Sequence, residues 1–161
     1  MNYAGIGMPN DGPVYLDSNV FIDFIEGDET ISAPIGPLVH KLRQKPGQAV
    51  TSELTLAEVL APSKGRKRPP HIRRLYLNLL VWGRFIDLHP ISRGVLYETA
   101  KLRATKATSR MKLLDAIHLA TAVLGGCRIF ISRDRDIRVP QGMLLMEPST
   151  GSVRKVIEAL K

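Results

Sequence analysis

The chain of 161 residues contains a single cysteine, Cys127. One thiol excludes an internal disulfide framework and a cysteine-rich zinc site, and it fits a reducing cytoplasm. No 18-residue apolar run occurs, so no membrane span is expected. Paired histidines at a spacing such as HExxH are missing, which argues against catalytic zinc. Aromatic residues are only 6% and rarely interleave with basic ones, so a base-stacking platform is not indicated. No repeat or low-complexity tract is visible. Residues 1–13 carry glycines and prolines and no apolar h-region; they read as a flexible lead-in rather than a secretory signal. Residues 14–161 are then expected to form one domain.

Hydrophobic residues at 44% and charged residues at 24% suffice for a packed core. The 23 basic and 15 acidic residues leave a net charge of +8, which suggests a polyanionic partner, RNA or DNA first. Two stretches hold much of that charge without an acid among them. One contains Lys64, Arg66, Lys67, Arg68, Arg73 and Arg74; the other contains Lys101, Arg103, Lys106, Arg110 and Lys112. Each reads either as a solvated face or as a phosphate-contacting surface largely blind to sequence.

Short apolar runs alternate with helix-like segments. Val14–Leu16, Ala49–Thr51, Phe85–Leu88, Arg128–Ile131 and Met143–Met146 read as strands. Helical spacing covers Pro34–Lys45, Leu54–Leu60, Leu75–Val81, Ser92–Ala107, Leu113–Leu124 and Ser152–Leu160, and Asp17-Ser18-Asn19 signals another helix start. Pro69-Pro70 suggests that the first basic stretch begins as a loop. This alternation implies an α/β fold with a mostly parallel central sheet of four to five strands.

In such a sheet, ligands bind beyond the carboxyl ends of the strands. Asp17 and Asn19 follow the first strand; Ser52 and then Glu58 follow the second; Ser132, Asp134 and Asp136 follow the fourth. Asp115 opens the helix before the fourth strand. Four carboxylates, Asp17, Glu58, Asp115 and Asp134, are therefore expected on one rim. Each also has a plainer reading. Asp17 can be a helix cap, Thr55 to Glu58 a capping box, Asp115 a partner of the helix dipole, and Arg133-Asp134-Arg135-Asp136 a solvated turn. Two carboxylates about 4 Å apart repel by roughly 4 kcal/mol at an intermediate dielectric. Such a cluster takes up protons or holds a cation, and an all-oxygen set suits Mg²⁺ or Mn²⁺. Asn19, Ser52, Ser132 and Asp136 are candidates to orient the acids or water around them. His118, Cys127 and the set Tyr76, Leu79 and Trp82 are expected to be packing residues.

The segments Leu16–Asp23, Thr51–Val59, Leu114–Ala122 and Phe130–Asp136, in this order, resemble the PIN domain, and most of all the VapC-type toxin ribonucleases of toxin–antitoxin pairs. The family's four acidic positions fall on Asp17, Glu58, Asp115 and Asp134, its polar residue after the first acid on Asn19, and its hydroxyl before the fourth on Ser132. The resemblance implies a three-layer α/β/α sandwich, a Mg²⁺- or Mn²⁺-dependent endoribonuclease, a homodimer and a cognate antitoxin. One departure stands out: the family often has Asn where this chain has Arg133, a residue that can bind phosphate or pair with an acid.

The expected function is thus metal-dependent hydrolysis of RNA, with Lys64, Arg66, Lys67, Arg68, Arg110, Lys112 and Arg133 along the strand. Two rivals remain. One is a non-catalytic nucleic-acid or partner-binding module of the same fold. The other is a receiver-type domain phosphorylated on Asp17, which the absence of an acid at position 19 weakens.

Overall fold

The computed structural model describes residues 12–62, 65, 67–106 and 109–160. Most of the expected lead-in, together with Lys64 and Arg66, lies outside them.

Five strands form the central sheet: β1 (Val14–Leu16), β2 (Ala49–Ser52), β3 (Ile86–His89), β4 (Ile129–Ile131) and β5 (Leu144–Met146). Their order is β3-β2-β1-β4-β5 and every pairing is parallel. The helices are α1 (Ser18–Glu26), α2 (Glu29–Ser32), α3 (Gly36–Arg43), α4 (Leu54–Leu60), α5 (Pro70–Leu77), α6 (Arg93–Arg103), α7 (Leu113–Leu124) and α8 (Thr150–Ala159), with a π-helical turn over Asn78–Trp82 after α5.

Side chains alternate across a strand, so each strand here feeds two cores. Val14, Leu16, Ile129 and Ile131 join the core beneath α1, α3, α5 and α8, with Val20, Leu38, Leu42 and Val156. Tyr15 and Phe130 point the other way, against Ala116 and Leu119 of α7. These two rings stack at 4.7 Å between directly paired residues of β1 and β4. With α6 packed on α7, the result is three layers, α/β/α. Burial on both faces explains why the central strands read as unbroken apolar runs.

Local chemistry sets the element ends. Asp17, Asp28, Ser92 and Ser149 cap α1, α2, α6 and α8 by accepting backbone N–H bonds. After α7 the chain turns at Gly126, whose φ of 69° suits a residue without Cβ. The four residues of α2 have no apolar period to announce them. Pro70 opens α5 rather than prolonging a loop, because a proline in the first turn lacks only an N–H that would be unpaired anyway. The expected helix from Leu75 therefore starts earlier. The expected helix to Ala107 ends at Arg103. Tyr76 and Leu79 are core as expected, whereas Trp82 is 57% exposed on the π turn. Cys127 is buried, and burial pushes its thiol up to about 12. Among the described residues no helix is long and apolar enough to cross a membrane.

Candidate active site at the ends of β1 and β4

The chain runs from β1 to β2 and β3 on one side, then returns to lay β4 and β5 on the other. β1 and β4 are thus neighbours at the point where the strand order reverses, the place where such sheets open a crevice. Asp17 leaves β1 there and Ser132 leaves β4. The Asp17 N–H donates to the Ile131 carbonyl at 3.0 Å, which locks the two exits together.

Asp17 is buried and heavily bonded. Its Oδ1 accepts from the Ser18 N–H at 2.8 Å, and its Oδ2 accepts from Asn19 Nδ2 at 2.8 Å and Ser132 Oγ at 2.7 Å. It is a helix cap and a rim acid at once. Asn19 Nδ2 also lies 2.8 Å from Ser132 Oγ, and Asn19 Oδ1 accepts from the Arg133 N–H at 3.1 Å. Ser132 Oγ accepts from the Asp134 N–H at 2.9 Å. Asn19 and Ser132 therefore tie α1 to the loop that carries Asp134.

Asp115 sits in the first turn of α7. Burial raises its carboxyl above the ordinary range, and the charges of Asp134 and Asp17 raise it further; Lys112 and His118 pull it partly back. Asp115 thus feels the charge of two acids from distant parts of the chain.

Glu58, on α4, is held separately. Its Oε2 lies 2.7 Å from His118 Nε2, whose Nδ1 lies 2.6 Å from Tyr15 Oη. Tyr15 Oη accepts from the Ser52 N–H at 3.1 Å. The tyrosine proton is then left for Nδ1, which assigns the imidazole proton to Nε2, donating to Glu58. The same Nε2 stands 3.8 Å from Asp17 Oδ1. Burial pushes the Glu58 carboxyl up, but the hydrogen bond and electrostatic pull of the His118 N–H and the Ser18 side chain outweigh it. The net position is below the ordinary range. Thr55 lies inside α4 with its hydroxyl 2.8 Å from Thr51, so Glu58 is not part of a capping box.

Sequence reasoning treated His118 as a packing histidine on or near the surface. It is buried and forms a bridge between α7, β1 and Glu58. Tyr15 was also missed. A hydroxyl inside the apolar run Val14–Leu16 was the available signal, because a buried tyrosine needs a partner. Ser52 is turned into structure: its Oγ accepts from the Leu54 N–H at 3.1 Å. Asp136 is exposed and touches Asp134 through its backbone N–H, 2.8 Å from Asp134 Oδ1.

The basic candidates separate clearly. Lys67, Arg110 and Lys112 are exposed. Arg68 is taken up by the protein: it pairs with Glu26, donates from Nε to the Ala61 carbonyl at 3.1 Å and lies over the Tyr76 ring. Arg133 pairs with none of the four rim acids; its Nη1 reaches Asp23 Oδ1 at 3.0 Å. A cavity of about 980 Å³ opens beside Ser132 and Asp134, walled by Ile137, Leu145 and Met146 and by Arg138 and Lys155.

Asp17, Asp115 and Asp134 offer only oxygen, the donor type a hard divalent cation takes, and a cation would relieve the repulsion felt at Asp115. Among the described residues no group of three or more His, Cys, Asp or Glu is placed to hold a metal ion. Mg²⁺ asks for less, since one or two carboxylates with water and substrate phosphate complete its shell.

Comparison with known proteins follows the same lines. The PIN domain family matches residues 14–142. A search among curated proteins by sequence found no match. A toxin–antitoxin complex from Klebsiella pneumoniae is similar at 26% identity over 84% of this chain and 97% of that one, with a TM-score of 0.57. VapBC2 from Rickettsia felis, bound to a promoter DNA fragment, superposes with a TM-score of 0.59 at 14% identity, over 83% and 97%. FitAB bound to an IR36 DNA fragment gives 0.58 at 18%, over 84% and 94%. Strand order, the acids gathered at the topological switch and the extent of the family match lead to one conclusion: the chain belongs to the PIN domain family.

Proposed function

We propose that this protein is a Mg²⁺- or Mn²⁺-dependent endoribonuclease and the toxin of a toxin–antitoxin pair. The observation that carries the reading is the placement of Asp17 and Asp134 at the switch point, joined through Ser132, with Asp115 near enough to feel both charges. Those three carboxylates would hold the metal. When bound, the ion supplies Lewis acidity toward the phosphodiester and toward the attacking water. Asn19 and Ser132 fix Asp17 and Asp134 in place. Glu58, whose carboxyl His118 draws below the ordinary range, adds charge to the site rather than a proton. Lys67, Arg110, Lys112 and Arg133 neutralise the RNA strand, with Lys64 and Arg66 assigned the same task from sequence.

Partnership with an antitoxin rests on the Klebsiella pneumoniae toxin–antitoxin complex and on the family resemblance. Homodimerisation and a cytoplasmic setting rest on that resemblance and, for the compartment, on the lone thiol. The test is RNA cleavage with Mg²⁺ or Mn²⁺ by an Asp115→Asn variant. We expect a loss on the order of 10²-fold. Undiminished cleavage by the folded variant would overturn the assignment.

One observation favours the non-catalytic module: no ready-made three-ligand metal group among the described residues. Metal titration separates the readings, since binding of millimolar Mn²⁺ belongs to the nuclease alone.

A further inference from the structure

Asp23 has no role in the site described so far, yet it is 4% exposed on α1. Its Oδ1 meets Arg133 at 3.0 Å, while its buried Oδ2 has no hydrogen-bond partner among the described residues. As a stabilising device this pair is poor. The Arg133 side chain is 57% exposed, and half-open ion pairs of this kind contribute little to folding. A buried carboxylate oxygen left without a donor is a cost. Burial accordingly pushes the Asp23 carboxyl up, and Arg133 draws it only partly back.

What the pair does well is hold an arginine in place. Asn19 and Asp23 are four residues apart and so share one face of α1. Asn19 takes the Arg133 backbone N–H and Asp23 takes its guanidinium. One helix face thus grips this residue at both ends, immediately before Asp134. A guanidinium carries five N–H donors in a fixed fork. Asp23 engages it through Nη1, and more than half of the side chain stays exposed on the residue that immediately precedes Asp134.

We infer that Asp23 is a positioning residue that sets Arg133 as a seat for an RNA phosphate next to the one cleaved. The inference rests on the nuclease reading above and adds to it a strand-holding pair.

The test combines Arg133→Gln, Asp23→Asn and the double variant. Binding of a fluorescein-labelled mixed-sequence single-stranded RNA is followed by anisotropy in EDTA at several salt concentrations. Cleavage of the same RNA is followed with Mg²⁺. Arg133→Gln should lower the slope of log affinity against log salt by about 0.7, one single-strand phosphate contact. Asp23→Asn should raise KM by roughly threefold to tenfold, more than it lowers kcat, with an unchanged or higher Tm. On the Arg133→Gln background it should change KM no further.

A wild type that neither binds nor cleaves this RNA would overturn the nuclease reading and the inference together. A wild type that does both, with Arg133→Gln matching it in slope and KM, would overturn the inference alone. So would tighter binding by Asp23→Asn, which would make Asp23 a competitor of the phosphate. An equal KM effect of Asp23→Asn in both backgrounds would overturn it too, by making the aspartate's role one of general folding.

Discussion

Two arginines pair with acids on the same helix and end up in opposite situations. Near the end of α1, Glu26 receives Arg68, whose side chain is 6% exposed, and also the Tyr76 hydroxyl. Less than a turn earlier, Asp23 receives Arg133, whose side chain is 57% exposed. The first guanidinium also bonds a backbone carbonyl and covers an aromatic ring; its donors and its flat face are used by the fold. The second is held at one edge and left open. An ion pair in a contact map therefore says little until the rest of the guanidinium is accounted for. Arg68 belongs to stability and Arg133 to recognition.

The largest effect that tests this contrast is expected from Arg68→Ala. It leaves Glu26 with the Tyr76 hydroxyl alone and removes a carbonyl bond and a ring contact, at about 3 kcal/mol. For a chain of this length that is a fall in Tm of roughly 6–12 °C, read by calorimetry. RNA affinity of the folded protein should not change. A shift in KM as large as that of Arg133→Gln would erase the distinction.

Tyr76→Phe removes one hydroxyl bonded to Glu26 and should cost about 1 kcal/mol. Burial, with the hydrogen bond to Glu26 and that carboxylate's charge, lifts the phenol well above its usual range. A neutral Tyr76→Phe would mean that Arg68 alone satisfies Glu26.

Asp115→Asn probes the acids that have no such partner. A carboxyl raised on folding binds its proton more tightly when folded, so its ionised form costs stability at neutral pH. The variant should therefore melt above the wild type at pH 7. The gap should narrow as pH falls through the raised value and close below the ordinary 3.8. Melts from pH 3 to 7 check this; a gap that widens in acid would reverse the electrostatic account. Mn²⁺ should raise the wild-type Tm more than that of Asp115→Asn.

Arg133→Gln leaves an amide that can still donate to Asp23 but removes the charge facing a buried carboxylate, so it should cost about 1 kcal/mol, a fall of roughly 2–4 °C in Tm. A fall comparable to that of Arg68→Ala would show the two arginines to be alike.

Sequence reading reached the sheet because Val14–Leu16 and Ile129–Ile131 are apolar on both faces and are followed at once by polar residues. It proposes the acids on the same ground: Asp17, Asp115 and Asp134 sit at strand ends or helix starts. It failed where a residue's role is set by a partner far away. Tyr15 and His118 are 103 positions apart, and no local period announces their contact. The partner of Arg133 was open at that stage, because Asp23 reads as an ordinary helix residue until α1 is placed against the loop after β4. Arg68 looked like its basic neighbours in a charged run; only the position of Tyr76 and Glu26 sets it apart. Pro70 was misleading because proline breaks helices inside but starts them well.

β1 is three residues long and bonded on both flanks. It works as a ruler. Insertion or deletion of one residue between Val14 and Asp17 would turn Tyr15 toward the opposite layer and carry the aspartate off the crevice in the same stroke. Changes in chain length are thus forbidden within this stretch, however freely the surface turns accept them.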